Sequence, residues 1–359
     1  MRTMNENNGG GFTGMYRDFA AQPIGWEAPR TAIEWNARRR RISRVLRRSL
    51  GALPPRSDVP DVETVGTEDR PAYRIERFRF HNGADAVVPG CLIVPHNLRS
   101  PAPAIQFLHQ HGGRYTDGGK AEMFREGWPV EGTVAEALAR RGYVVIAIDA
   151  YCFGKRSGCG PGGSGETGAT EEASLFKTHL WRGRTLWGMM LRDEQMALDY
   201  LCSRPEADAK RIGTFGMSMG STRAWWHAAL DRRIKATVAV ACLTRYQELI
   251  AYGALAAHGI YYSVPGILQH FDSESVIACI APRPLLTLTG DSDDGSPVDG
   301  VRKINAAVAS VYDVLGASDR FRSVVYARTG HVYTDEMWAE TLAWFDRHLG
   351  SPGRGHGSR

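Results

Sequence analysis

The stretch that most constrains this chain is Arg211-Ile-Gly-Thr-Phe-Gly-Met-Ser-Met-Gly220. A turn and short apolar strand over Asp208–Phe215 runs into Gly216-x-Ser218-x-Gly220, and a proline-free helical pattern, Met219–Leu230, follows at once. Glycines at both flanks suit a strained strand-to-helix turn, where a Cβ would collide with neighbouring backbone. Such a turn lifts a serine hydroxyl to the end of a sheet, where it can serve as a nucleophile.

The rest of the chain must then supply a sheet. From residue 104 onward strand and helix patterns alternate, which predicts a mostly parallel, doubly wound sheet with helices on both faces. Tyr73–Phe80 alternates apolar and charged residues, Asn82-Gly83 supplies a turn, and Val87–Val94 returns as an antiparallel partner. Further strands are expected at Ala104–His109, Tyr143–Ile148, Asp208–Phe215, Ala236–Ala241, Pro284–Thr289 and Arg322–Tyr326, for a sheet of about eight strands. Helices are expected at Thr133–Arg141, Arg184–Leu201, Val301–Leu315 and Asp335–Leu349, with a long glycine-rich loop from Cys152 to about Thr170. That loop contains Gly160-x-Gly162-x-x-Gly165, but it neither leaves a strand directly nor opens a helix, so no dinucleotide site is expected.

With 359 residues the chain can bury a substantial core. Residues 1–50 read as an N-terminal extension, 51–349 as the main domain and 350–359 as a polar tail. The extreme N-terminus and the tail Ser351–Arg359 are expected to be poorly ordered. The formal charge of +5 is concentrated in the extension, at Arg38–Arg41, Arg44, Arg47 and Arg48. Trp35, Ile42, Val45, Leu46 and Leu50 recur there near helical spacing, so an amphipathic helix that packs one face and solvates its arginines is favoured over a nucleic-acid surface. No run of eighteen apolar residues predicts a membrane span. The N-terminus lacks the apolar core of a secretory signal and the six cysteines lack metal-ligand spacing, so free thiols and a cytoplasmic setting are expected.

A serine hydroxyl needs a base within hydrogen-bond reach and a carboxylate that orients that base. In a serine-elbow sheet the acid and then the histidine follow the serine in chain order, each after a later strand. Gly290-Asp-Ser-Asp-Asp-Gly follows one late strand and Thr329-Gly-His331 follows the last. His331 is the expected base, because His81, His96, His227, His258, His270 and His348 lie on helices, in the opening hairpin or before the acid. Asp293, three residues beyond Gly290, is the expected acid, with Asp294 next and Asp291 adjacent. The aspartate run lacks calcium-loop spacing, and His109-x-His111 has no third ligand, so no metal and no cofactor are expected. Backbone N–H donors for an oxyanion would come from Met219, after the nucleophile, and from Gly113 in His111-Gly112-Gly113.

The segments His111-Gly-Gly113, Arg141–Asp149 with Gly154-Lys-Arg156, Gly183–Gly188 leading to Asp193, Ser203–Asp208, Gly216–Gly220 and Ile280–Pro284 resemble the dienelactone-hydrolase and acetyl xylan esterase branch of the α/β-hydrolases. The likeness runs from about residue 50 to 349. It implies an α/β-hydrolase fold, the triad Ser218, Asp293 and His331, an oxyanion hole of Gly113 and Met219, and hydrolysis of a small-molecule ester. Ser221 departs from the second glycine that many relatives carry after the elbow, and serine replaces the cysteine nucleophile of dienelactone hydrolases proper. A prolyl-oligopeptidase-type amidase reads the same triad but is disfavoured without a preceding propeller, and a non-catalytic binding protein is disfavoured because every triad position is filled. The insertion at 243–282, rich in tyrosine, is expected to roof the site. Candidate substrate contacts are Arg114, Tyr261, Tyr262 and Trp187, and the aromatic and arginine segments would permit a homodimer.

Overall fold

The computed structural model describes residues 25–96, 98, 101–129 and 131–350. The glycine-rich start and the polar tail from Ser351 lie outside the described residues. Helix α1 (Ala32–Ser49) opens the described chain, with Thr31 Oγ1 accepting the Glu34 N–H as its N-cap. Trp35, Ile42 and Leu46 are its buried face and join the main hydrophobic core, while Arg39 and Arg47 reach the carbonyls of Ala281 and Leu230. The arginine stripe thus borders the domain with part of its length hydrogen-bonded to it.

The sheet follows as β1 (Val62–Asp69), β2 (Tyr73–His81), β3 (Val87–Pro95), β4 (Ala102–Leu108) and β5 (Val144–Ile148), with α2 (Val134–Arg140) between the last two. Next come α3 (Ala169–Trp181), α4 (Leu186–Ser203), β6 (Ala207–Met217), α5 (Met219–Leu230) and β7 (Ile234–Val240). The chain closes with α6 (Tyr246–Ala251), α7 (Ser273–Ala278), β8 (Leu285–Gly290), α8 (Val298–Val314), β9 (Phe321–Tyr326) and α9 (Asp335–Leu349). The strands form one nine-stranded sheet in the order β1-β2-β3-β5-β4-β6-β7-β8-β9. The pairs β1–β2, β2–β3 and β3–β5 are antiparallel and every pair from β4–β5 onward is parallel. Two apolar clusters, one on each face, cover the central strands. This is the α/β-hydrolase fold.

Two elements depart from the expectation. The ninth strand is β1, an edge strand whose Val-Glu-Thr-Val-Gly-Thr-Glu-Asp sequence is too polar to announce itself, since only one edge of it pairs and most of its residues face water. Helix α3 occupies residues whose start was read as the end of a loop. Its N-cap, Gly168, has no side-chain cap, so the usual start signal is missing.

Helix α5 carries His227 into the core with no hydrogen-bond partner for either ring nitrogen among the described residues. Burial lowers its pKa from 6.5 to about 4, with Asp231 opposing. A depressed folded-state pKa contributes stability that is present above pH 6.5 and lost as pH falls toward 4. His227→Leu should therefore gain about 2 kcal/mol relative to the natural chain between about pH 7 and pH 4.5. Parallel denaturant titrations at the two pH values check this, and a constant gap between the two proteins would show that His227 does not drive it.

Candidate active site

Strand β6 ends at Met217 and α5 begins at Met219, leaving Ser218 between them at φ 59°, ψ −121°. A non-glycine residue there costs on the order of 1–3 kcal/mol and persists only when its surroundings over-determine it. They do. The Ser218 N–H donates to Val240 O at 2.9 Å, and the Thr222 N–H donates to Ser218 O at 3.0 Å. A Cβ at Gly216 or at Gly220 would overlap the carbonyl oxygen of Leu108 at the end of β4. Ser221 donates its hydroxyl to Ala241 O at 2.6 Å and so ties the first turn of α5 to the residue after β7.

The loop after β8 buries Asp293 and exposes Asp294. Asp293 Oδ2 lies 2.9 Å from His331 Nδ1, and its Oδ1 accepts the Gly295 N–H at 2.9 Å. Asp291 instead accepts the hydroxyl of neighbouring Ser292. Gly295 O in turn accepts from His258 Nε2 at 2.8 Å and Thr244 Oγ1 at 2.9 Å, both in the 243–282 insertion. The roof and the acid loop are thus hydrogen-bonded together.

A cavity of about 600 Å³ has Ser218, His331, His111, Gly113, Glu172 and Tyr261 in its wall. No hydrogen bond joins Ser218 to His331, and the serine hydroxyl meets the Cys242 thiol at 3.8 Å. In unliganded sites the serine–histidine bond is commonly long and tightens around substrate. Met219 supplies one of the first N–H groups of α5, which have no intrahelical acceptor. The Gly113 N–H donates to His111 Nδ1 at 3.1 Å, within a loop where Gly113 has φ 70°.

His111 is the feature that the sequence left unread. Because its Nδ1 accepts an N–H, its Nε2 carries the hydrogen and donates to Glu172 Oε1 at 3.1 Å. Glu172 is 2 % exposed. The imidazole stacks on Tyr261 at 5.6 Å and meets Tyr115 and Phe153 edge-on. A glycine- and proline-free run from Ala169 to Trp181 was the available signal for the helix that delivers Glu172.

Of the expected substrate contacts, Tyr261 alone borders the Ser218 cavity. Tyr262 lines an adjoining cavity of about 800 Å³ within the roof. Trp187 is fully buried behind Tyr261, 5.7 Å between rings, and Arg114 is held by Asp117 at 2.7 Å and Glu122 at 3.3 Å. Arg156 and Arg223 are likewise buried in ion pairs with Asp193 at 2.8 Å and Glu194 at 2.6 Å. Burial pushes Glu194 up to about 7 against the pull of Arg223, whose second nitrogen donates to His109 O beneath the site. Among the described residues no group of three or more His, Cys, Asp or Glu could hold a metal ion, and no helix is long and apolar enough to cross a membrane.

A fold with its strained serine between sheet and helix defines an α/β-hydrolase. The chain belongs to the Abhydrolase family, whose model matches residues 26–334. It is 38% identical over 304 residues to the Bacillus subtilis (strain 168) protein named “Putative hydrolase YtaP”, covering 84% of this chain and 97% of that one. Among solved structures it is similar to a “putative acetyl xylan esterase” from Bacteroides fragilis NCTC 9343, with a TM-score of 0.68 at 17% identity over 91% of this chain and 85% of the other. A glucuronoyl esterase from Solibacter usitatus superposes with a TM-score of 0.64 at 17% identity, over 90% and 94% of the two chains.

Elbow packing makes opposite demands on two glycines. Gly220→Ala should lower stability by about 3 kcal/mol, because rigid backbone at Leu108 must move. Gly113→Ala has open space around its Cβ and should cost about 1 kcal/mol through its left-handed φ alone. Thermal unfolding of both variants decides, and equal losses would mean that the elbow tolerates side chains.

Proposed function

We propose that this protein is a serine hydrolase of carboxylic esters that works through an acyl-enzyme on Ser218. The observation that carries this reading is the strained Ser218 facing the same cavity as His331, with the buried Asp293 carboxylate 2.9 Å from the imidazole. His331 Nε2 takes the hydroxyl proton as Ser218 Oγ adds to the ester carbonyl, while Asp293 holds the Nδ1–H tautomer. The Met219 and Gly113 N–H groups stabilise the oxyanion. Collapse of the adduct breaks the acyl–oxygen bond, and His331 returns its proton to the leaving alcohol. Water then repeats the sequence on the acyl-enzyme, releasing the acid and free Ser218.

The cavity favours a short acyl group on an uncharged partner. Ala169, Ala173, Ala256, Ala257 and Gly259 keep the wall close to small residues, Tyr261 and His111 offer flat ring faces, and among the described residues no lysine or arginine lines it. An acetylated sugar or small natural product suits such a site, in keeping with the esterase names of its structural neighbours. Hydrolysis of p-nitrophenyl esters of increasing acyl length should be fastest for acetate. Ser218→Ala should abolish it and Asp293→Asn should lower kcat by about 10⁴-fold, whereas Asp294→Asn should stay near the natural rate. Turnover that survives Ser218→Ala would remove the nucleophile from this reading.

His111 prepares the oxyanion hole. Glu172 keeps the imidazole hydrogen on Nε2, so Nδ1 holds the Gly113 N–H in place until the oxyanion competes for it. His111→Phe, which keeps a ring but has no acceptor, should lower kcat by about 10²-fold with KM little changed. In His111→Asn the side-chain oxygen can accept the N–H two residues on, as in an Asx turn, and most of kcat should return. Steady-state kinetics of the pair check this, and a natural kcat in His111→Phe would leave Gly113 independent of His111.

A further inference from the structure

Arginine on the surface of this chain is commonly matched by a carboxylate. On the β1–β2 hairpin, Arg70 and Arg77 both pair with Glu68, Arg74 with Glu76 and Arg79 with Glu63. Helix α1 departs from that pattern. Its one carboxylate, Glu34, is taken by Arg38 at 2.9 Å. Arg41, Arg44 and Arg48 are exposed and form no ion pair among the described residues. Spacings of three and four residues put these three on one face of the helix, turned away from the buried Trp35, Ile42 and Leu46.

The ends of α1 and α3 are joined through backbone. The Ala52 N–H donates to Gly183 O at 2.9 Å, the Thr185 N–H donates to Leu50 O at 3.0 Å, and Gly51 and Arg184 form an antiparallel bridge. Arg48 and Leu180 line one cavity of about 380 Å³, together with Pro265, Gly266, Gln269 and His270 of the roof. At this junction α3 ends in two uncovered apolar side chains, Leu180 at 45 % exposure and Trp181 at 82 %. The other tryptophans of the chain are buried or half-buried. Lys177, one helical turn before Trp181, is exposed and likewise forms no ion pair among the described residues.

The occupant of such a surface must satisfy both the cations and the apolar tip. Nucleic acid would meet the arginines and leave Leu180 in water. A second copy of the chain would cover Leu180 and Trp181 but bring a second set of unpaired cations against the first. An anionic lipid surface meets both demands, since an indole settles at the boundary between headgroups and hydrocarbon while arginine and lysine gather at anionic headgroups. We propose that the end of α3 and the outer face of α1 dock on an anionic lipid bilayer, with Trp181 and Leu180 entering the headgroup layer and Lys177, Arg41, Arg44 and Arg48 on lipid phosphates. The attachment is peripheral, and it stands whatever the reaction at Ser218 is.

Co-sedimentation of the full chain with vesicles tests this, using phosphatidylcholine alone and phosphatidylcholine with an equal part of phosphatidylglycerol. Saturable binding to the anionic vesicles is expected, falling as salt rises, with none to the neutral ones. The triple variant Arg41→Gln/Arg44→Gln/Arg48→Gln should bind about 100-fold more weakly. Trp181→Ser should bind about tenfold more weakly and lose the quenching of tryptophan fluorescence by brominated lipid that the natural chain shows. Tm values equal to that of the natural chain separate lost binding from lost folding. No binding to anionic vesicles at low salt, or natural affinity in either variant, overturns the proposal. Binding to a DNA duplex without binding to vesicles would overturn it in favour of nucleic acid, and a dimer that Trp181→Ser dissociates, again without vesicle binding, in favour of a second copy.

Discussion

The contact on which the site depends is the approach of the Ser218 turn to the end of β4. Gly216 and Gly220 both abut the carbonyl of Leu108, so strand β6 and helix α5 can meet their neighbour only where side chains are absent. This approach fixes where the serine stands relative to the loop after β4, and that loop begins one residue later with His109, Gln110 and His111. Ser218 and the amides of the glycine loop are therefore positioned by one backbone contact rather than by two separate elements. The buried Arg223 reinforces it, bonding from α5 to the carbonyl of His109 and to Glu194 of α4.

The opposite wall is organised by a single peptide. Gly295 donates its N–H to Asp293 and accepts from His258 and Thr244 on its carbonyl. A hydrogen-bonded amide is polarised by each partner, so the carboxylate that faces His331 is coupled to the insertion above it. Burial holds the His258 pKa below its ordinary value, which keeps the ring neutral with one N–H available for this bond. The roof is in this way hydrogen-bonded to the loop that carries Asp293, although the two are far apart in sequence.

Local patterning is strong where an element is buried on both faces or carries its own punctuation. Strands β4 to β8 read as apolar runs, and helices α5 and α9 were legible to their observed ends because the glycine elbow and the Thr334 cap mark them. The placement of Asp293 and His331 in loops after late strands was legible, and of the two neighbouring carboxylates Asp293 is the buried one beside His331 and Asp294 the exposed one. Burial of arginine was not legible. Arg156 and Arg223 lie far in sequence from Asp193 and Glu194, and those partners become neighbours only when the chain packs. Trp187 was misplaced for the same reason: a helical tryptophan next to a roof segment points into the core, and only packing reveals which side of Tyr261 it occupies.

Helix α3 shows why a residue's chemistry can escape sequence reading even when its element does not. Glu171 and Glu172 are adjacent, identical and both buried, and in sequence nothing separates them. On a helix they point about 100° apart. Glu171 turns to the loop at 158–160 and caps three of its N–H groups, whereas Glu172 turns to His111 and sets which imidazole nitrogen carries hydrogen. A carboxyl group buried at either position needs hydrogen-bond partners, and each finds different ones, so neither can take the other's role by a shift of one residue. The helix therefore ties the loop at 158–160 to the imidazole in the wall of the Ser218 cavity. Its register, rather than its composition, determines what each glutamate does.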